Sequence, residues 1–167
     1  MTGRDFREVH HVEIRRTDPK QTIDASVKAD GPAAVLPLLR EILQGREQES
    51  FVILILDGAY KVAAWREVAR GMADAVVVPT REAFRTALLC DARALVLAHN
   101  HPSGDPTPSE ADKLTTERLR FAGEAIDIPI LDHIIIIGSG ERYYSFGQGG
   151  EGDALDMTAP RQGPELD

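Results

Sequence analysis

Cysteine and long apolar runs are both scarce in this 167-residue sequence. Cys90 is the only cysteine, so no internal disulfide can form, which is typical of a reducing compartment. It follows the apolar residues 87–89 and is interpreted as a small core residue, not as a nucleophile. No apolar run approaches the roughly 18–20 residues of a membrane helix, and the polar start predicts no signal peptide. We therefore expect a cytoplasmic protein without a membrane span.

A basic surplus is also missing, because 27 acidic residues outnumber 19 basic ones and give a net charge of −8. Half of that charge lies in residues 148–167, where five carboxylates face one arginine. This stretch is rich in glycine and proline and poor in large apolar residues, which predicts an acidic disordered tail. The chain lacks the electrostatic footprint of phosphate-backbone binding. This counts against a nucleic-acid-binding role.

Apolar residues make up 43% of the whole chain, which is enough for the hydrophobic core of one compact domain. Residues 1–30 are predicted to form a polar arm with an edge strand near Val9–Ile14, in which His10 and His11 face opposite ways on the surface. Residues 31–147 form the predicted domain. Its helical spacing predicts helices at Pro32–Leu43 (or from Pro37), from the N-cap Thr80 to about Cys90, and at Ser109–Ala125.

Short apolar runs predict the strands of the domain. These are Phe51–Leu56, Ala75–Val78, Ala94–Ala98 and Ile128–Ile137, with hairpin partners at Tyr60–Val68 and, after a turn at Ser139-Gly140, at Tyr143–Phe146. Helices that alternate with strands buried on both sides indicate an α/β fold with a central sheet covered on both faces.

The segment that follows the predicted strand at Ala94–Ala98 contains three residues with the pattern of a metal site. His99 and His101 share one face of the strand end, because side chains on a strand alternate. Asp112 lies in the first turn of the next helix, and the loop between them, at about 3.5 Å per residue, is long enough to bring it back. Two imidazoles and a carboxylate suit zinc, and three protein ligands leave a fourth position for water, as in catalytic sites.

Each half of this pattern has an ordinary structural explanation when taken alone. Ser109 followed by Asp112 is a common helix-capping sequence, and a histidine pair spaced by one residue is a weak signal. The two halves together are far less common by chance. They predict one zinc ion per chain, held by His99, His101 and Asp112.

The same residues resemble a known family. H-x-H-x₇-S-x-x-D is the signature of JAB/MPN metallopeptidases with the JAMM motif, and the string from His99 to Gly104, with Pro108–Asp112, resembles the RadC-like branch. The resemblance extends over about residues 32–147, including Pro79–Phe84 and Leu131–His133. It implies a mixed central β-sheet flanked by helices, similar to cytidine deaminases, in agreement with the predicted elements.

The resemblance implies a zinc-dependent peptidase or isopeptidase that uses a zinc-activated water on a protein or peptide substrate. Ser109 is then expected to stabilise the developing oxyanion. An upstream glutamate is expected to act as the base, and Glu49 matches its position. Glu47 is the reserve candidate, whereas Glu82 is explained by its place in the first turn of a helix.

Asp132 and His133 form a weaker signal. A histidine on a buried strand is by default a core residue, and the functional alternative is that this pair orients a metal ligand through a hydrogen bond.

Residues 1–30 are short and polar, so we expect that they do not form the helix-hairpin-helix region that full-length RadC-like proteins usually carry. Two alternatives stay open, a zinc hydrolase acting on nucleic acid and associated with DNA repair, and a non-catalytic binding module that contains metal. Neither the substrate nor the oligomeric state follows from the sequence.

The tail prediction can be tested by deleting residues 151–167. The melting temperature should change little, because the segment offers almost no apolar area to bury. A drop of more than about 5 °C, about 1 kcal/mol for a domain of this size, would show that the tail is docked.

Overall fold

The computed structural model describes residues 26–71, 78–137 and 142–149. Several predicted features lie outside these residues, namely the strand at Val9–Ile14 with His10 and His11, most of the strand at Ala75–Val78, the Ser139-Gly140 turn and residues 150–167 of the tail. The boundaries of the arm, the domain and the tail stay predictions.

Three helices and one five-stranded sheet make up the described fold. In chain order the elements are α1 (Pro32–Leu43), β1 (Glu49–Leu56), β2 (Val62–Gly71), α2 (Thr80–Leu89), β3 (Ala94–His101), α3 (Glu110–Glu124), β4 (Ile130–Ile137) and β5 (Tyr143–Ser145). The strand order is β2-β1-β3-β4-β5. Only β3 and β4 run parallel, and the other neighbours are antiparallel. The predicted α/β fold with a mixed central sheet is confirmed.

The central strand β1 is buried along its whole length, as its continuous apolar run predicted. Its alternate side chains enter two separate cores. Val52, Leu54 and Leu56 pack in the core that contains the apolar face of α1. Phe51, Ile53 and Ile55 pack with residues of α2 and α3 on the other face. The sheet is therefore covered by α1 on one side and by α2 and α3 on the other.

Helix α1 has the predicted bounds, α3 is one residue shorter than predicted at each end, and the N-cap of α2 differs from the prediction. Helix α1 begins at Pro32 and includes Pro37, so the alternative start at Pro37 is wrong. Pro32 occupies the first helical position, where its fixed φ favours the helix and its missing N–H removes no bond. Helix α2 has Pro79 as its N-cap, and Thr80 is already helical. Thr80 is therefore not the cap.

All five strands have bounds that differ from those predicted. Strand β1 begins earlier, at Glu49, β2 is shifted toward its C-terminus, β3 continues to His101, β4 begins at Ile130, and β5 ends at Ser145. The longer β3 matters for the site, because His99 and His101 pair in parallel with Ile135 and Ile137 of β4. Both histidines therefore lie on the strand and not in the following loop. Tertiary pairing, which the local sequence does not encode, extends the strand.

Cys90 lies at the border of the α2 and α3 core and not within it. It is the C-cap of α2 and is only half-buried, packed against the core cluster of that face. The expectation of a core position was therefore too strong. Within residues 26–71, 78–137 and 142–149, no helix combines the length and apolar character of a membrane span.

Gly123 near the end of α3 generates a stability prediction. A Cβ at this position would lie 2.4 Å from the carbonyl oxygen of Ile128 and 3.3 Å from Cζ of Phe84. Gly123→Ala should therefore lower the free energy of unfolding by about 1–3 kcal/mol through overpacking, although alanine is the better helix former by about 1 kcal/mol. Urea denaturation measures the difference.

Gly58→Ala is the matched control, because a Cβ at Gly58 meets no atom within 4 Å. That variant should change stability by less than about 1 kcal/mol. Equal stability of the two variants would contradict the close approach of the chain at Ile128 to helix α3.

Candidate metal centre

The four candidate side chains meet at one end of the sheet, on the face covered by α2 and α3. His99 and His101 project from the last residues of β3. Strand β1 runs antiparallel to β3 with Phe51 opposite His99, so Glu49, two residues earlier, lies at the level of His101. Asp112 is the third residue of α3, whose start lies beside the strand end.

The nitrogen and oxygen atoms of these side chains converge closely. The two Nε2 atoms of His99 and His101 are 2.9 Å apart. Asp112 Oδ1 lies 3.2 Å from His99 Nε2, and Asp112 Oδ2 lies 3.5 Å from His101 Nε2. Glu49 Oε1 is farther away, 3.8 Å from His99 Nε2. One ligand atom from each of the four lies within 4.8 Å of the others, so the group could hold a metal ion.

Asp112 is held in place by the first turn of its own helix. Its Oδ2 accepts hydrogen bonds from the Ser109 backbone N–H at 2.8 Å and from Ser109 Oγ at 2.6 Å. Ser109 Oγ in turn accepts from the Asp112 backbone N–H at 3.1 Å. This reciprocal arrangement is a capping box. Because the Oδ1 atom of Asp112 faces His99, the capping box of Ser109 and Asp112 is compatible with Asp112 as a metal ligand.

Burial and mutual hydrogen bonding shift the pKa values of the cluster. Burial lowers the pKa of His99 against the opposing effect of Asp112. Burial also acts to lower the pKa of His101, but the Asp112 carboxylate and the Asp105 carbonyl oxygen raise it. Burial acts to raise the pKa of Asp112, yet the nearby His101 and His99 rings hold that pKa well below its usual range. Asp112 is therefore an anion among imidazoles.

A second layer of buried groups lies behind His99. Its Nδ1 is 2.8 Å from Nε2 of His133, whose Nδ1 is 2.6 Å from Thr116 Oγ1. The Phe51 ring stacks on His99 at 5.6 Å and an interplanar angle of 11°. Burial lowers the pKa of His133 well below its usual value. His133 thus contacts a candidate ligand directly, in the position that an orienting residue needs.

Asp132 makes a different set of contacts from His133. Its carboxylate accepts hydrogen bonds from Ser145 Oγ at 2.7 Å, from the Gly147 N–H at 2.8 Å and from the His133 N–H at 2.7 Å. Burial raises the pKa of Asp132. These bonds fasten the turn after β5 to β4.

Asn100 fixes the segment that carries Glu49. The side chain lies between the two histidines in sequence and projects to the opposite face of β3. Its Oδ1 accepts from the Ser50 N–H at 2.8 Å, and its Nδ2 donates to the carbonyl oxygens of Gln48 at 3.1 Å and Arg46 at 3.3 Å. The buried amide thereby joins the start of β1 to the strand that carries both histidines.

The three candidate glutamates occupy different environments. Glu49 is 7% exposed and belongs to the cluster. Glu47 is exposed in the loop before β1. Glu82 forms an ion pair with Arg85 of its own helix at 2.7 Å and one with Arg66 at 3.3 Å, which links α2 to β2. Of the three, the structure brings only Glu49 to the histidines.

Sequence reasoning missed the contacts of Thr116 and gave Asn100 no structural role. The spacing of four residues from Asp112 puts Thr116 on the same face of α3, and this signal could have identified it. The hydrogen bonds of Asn100 join segments about fifty residues apart. No local pattern indicates such bonds.

Comparison with known proteins identifies a family model and several relatives that match most of this chain. The family model of the RadC-like JAB domain matches residues 29–152. A UPF0758 protein of Herminiimonas arsenicoxydans is 39% identical over 140 residues, which are 84% of this chain and 62% of that protein. One of Pasteurella multocida is 42% identical over 66% of this chain and 48% of its own length. One of Vibrio cholerae is 43% identical over 67% of this chain and 69% of its own length.

The match therefore spans less than two-thirds of the first two relatives. The family model covers all four clustered residues. With this coverage and the mixed sheet, the chain belongs to the family of the RadC-like JAB domain.

Proposed function

We propose that this chain is a zinc-dependent metallohydrolase that cleaves amide bonds in peptides or proteins. The observation that carries the proposal is the arrangement of His99, His101 and Asp112. Their ligand atoms converge within 3.5 Å of one another in the three measured pairs. The buried Glu49 carboxylate lies just outside them, 3.8 Å from His99 Nε2.

The donor set fits zinc by chemistry and by spacing. With zinc–nitrogen bonds of about 2.0–2.1 Å, ligand atoms at tetrahedral angles lie about 3.3 Å apart. The two Nε2 atoms are 2.9 Å apart, and each is nearest to a different oxygen of Asp112, at 3.2 Å for His99 and 3.5 Å for His101, so the separations lie on either side of this value. Two neutral imidazoles and one carboxylate also leave half of the +2 charge of the ion uncompensated. Zinc in such a site supplies a Lewis acid that polarises a carbonyl group and acidifies water.

Glu49 is the proposed general base. Glu49 is the first residue of the buried strand β1, and its carboxylate faces the two histidines. A water molecule at the candidate metal position would therefore be within hydrogen-bonding reach of this carboxylate. Glu49 takes one proton from this water as the water oxygen attacks the substrate carbonyl carbon. The carbon–nitrogen bond then breaks, and Glu49 returns the proton to the leaving amine. The carboxyl product keeps the water oxygen, so atoms and charge balance.

Ser109 is proposed to donate a hydrogen bond to the carbonyl oxygen as negative charge develops there. In the structure the hydroxyl donates to Asp112 Oδ2. That oxygen also accepts from the Ser109 backbone N–H, so Asp112 keeps a donor when the hydroxyl turns to the substrate. The capping box thus supports both roles of this serine.

An amide substrate is favoured over a phosphodiester by charge. The arginines beside the start of β1, Arg46 and Arg70, both pair with Glu67. Their hydrogen bonds hold the pKa of Glu67 at about 2, so this carboxylate neutralises part of their charge near pH 7. The net charge of −8 also disfavours a polyanion. Cytoplasmic location is part of the proposal and is supported by the single cysteine.

The base assignment is tested by comparing Glu49→Gln with Asp112→Asn. Glu49→Gln keeps the shape but cannot accept a proton, so kcat should fall at least about a hundredfold while zinc content and melting temperature persist. Asp112→Asn removes the anionic ligand and should lose zinc as well as activity. The assay requires zinc-dependent cleavage of a peptide or isopeptide panel by the wild type, with zinc measured by mass spectrometry.

Glu47→Gln and Glu82→Gln are the matched controls, and both should keep zinc and most activity. A dead Glu47→Gln variant beside a fully active Glu49→Gln variant would refute the assignment of the base. Zinc binding without cleavage of any panel member by the wild type would favour the binding module instead.

A further inference from the structure

A continuous chain of buried hydrogen bonds runs from helix α3 to the candidate metal position. It begins at the main-chain carbonyl oxygen of Asp112, which lies 2.6 Å from Thr116 Oγ1. It continues from Thr116 Oγ1 to His133 Nδ1 and from His133 Nε2 to His99 Nδ1. Thr116 is 1% exposed, and both histidines are fully buried. Water therefore does not compete for these bonds.

The direction of each bond follows from counting protons, starting at Thr116. A threonine hydroxyl has one hydrogen, whereas a carbonyl oxygen can only accept. The Thr116 hydrogen must therefore point to the Asp112 carbonyl oxygen. For the 2.6 Å contact with His133 to be a hydrogen bond as well, His133 Nδ1 has to carry the proton and donate it to Thr116 Oγ1.

The count then passes from His133 to His99. The His133 ring lies between Phe51 and Phe146, with ring centroids 5.2 and 4.9 Å away. An imidazole in such an apolar environment is neutral and has a single N–H. With that proton on Nδ1, His133 Nε2 can only accept, and His99 Nδ1 must donate. In this tautomer Nε2 of His99 carries the lone pair, so its separations from Asp112 and His101 are those of ligand atoms around a metal position and not hydrogen bonds.

His101 reaches the same state by a shorter route. Its Nδ1 lies 2.7 Å from the Asp105 carbonyl oxygen, so that nitrogen has to donate, and in the neutral ring Nε2 is left with a lone pair. A backbone oxygen therefore fixes which nitrogen of His101 carries the proton, whereas the Thr116 hydroxyl fixes it for His99 by acting through His133. Only the hydroxyl can be removed by a conservative substitution.

We propose that Thr116 is a positioning residue, which acts through His133 to fix the tautomer of His99 whose Nε2 lone pair faces the metal. The inference rests on the proposed function only in taking His99 as a metal ligand. Without the hydroxyl, His133 can carry its proton on Nε2 and donate it to His99 Nδ1. His99 would then carry its own proton on Nε2, directed into the ligand cluster, and metal binding would have to displace it.

Three variants of the full chain test this role. Thr116→Val removes the hydroxyl at nearly constant shape, and Thr116→Ser restores it. Thr115→Val makes the same change one residue earlier on α3, at a half-buried position outside the chain of hydrogen bonds. Zinc affinity is measured by competition with a chelator, and the protonated nitrogen of each histidine by long-range ¹H–¹⁵N NMR of the metal-free protein.

Thr116→Val should weaken zinc binding by about 10–100-fold, the usual loss when a group behind a ligand is removed. Its NMR spectrum should show His133 protonated on Nε2, whereas the wild type shows both buried histidines protonated on Nδ1. Thr116→Ser and Thr115→Val should match the wild type in both measurements. Rescue by serine separates tautomer control from packing, because serine lacks the methyl group but keeps the hydroxyl.

Three results would overturn the proposal. One is a wild-type spectrum with the His133 proton on Nε2, and another is wild-type zinc affinity and tautomers in Thr116→Val. Equal loss of zinc in the serine and valine variants would also reject it in favour of a packing role. A wild type that binds no zinc would refute the proposed function, while the NMR tautomers would still decide the role of Thr116.

Discussion

The geometry of the candidate metal centre depends on the contacts that the Asp112 carboxylate makes with Ser109 and His99. One oxygen closes the capping box with Ser109, and the other faces His99 Nε2 at 3.2 Å. A carboxylate that is only 8% exposed requires such partners, since an unpaired buried charge is strongly unfavourable. Asp112 thus fastens the start of α3 to the end of β3. The site exists because helix start and strand end are joined at this residue.

The sheet makes that junction rigid and supplies the remaining groups. Strand β1 is buried on both faces, and its antiparallel register with β3 brings Glu49 beside the histidines. Asn100 locks the two strands together on the opposite face. Parallel pairing with β4 brings His133 behind His99. Each element next to β3 therefore delivers one part of the centre, which explains why widely separated residues converge without a long loop.

Local patterns predicted most of the elements, and the strongest patterns predicted best. The apolar run of β1 and the helical spacing of α3 were correct to within about two residues, the usual uncertainty of element ends. The motif also named His99, His101 and Asp112, because alternation on a strand and a helix start fix their mutual directions. Ends that depend on tertiary pairing, such as the extension of β3 to His101, were beyond local reasoning.

The groups around the motif were harder to predict for the same physical reason. Glu47 and Glu49 have the same parity, and only the onset of β1 at Glu49 separates the buried residue from the exposed one. The contact between Thr116 and His133 depends on how α3, the helix that connects β3 to β4, packs on the face of the sheet. Sequence spacing alone can suggest that Thr116 faces inward, but not which side chain it meets.

The claim that these residues form a metal centre is tested most directly by zinc content. Mass spectrometry of the purified full chain should give about one zinc per chain, as three converging protein ligands imply. The His99→Ala/His101→Ala double variant should retain almost none, while His10→Ala/His11→Ala, which removes an equal number of histidines, should keep the wild-type content. Equal zinc in the two double variants, or none in the wild type, would contradict the account.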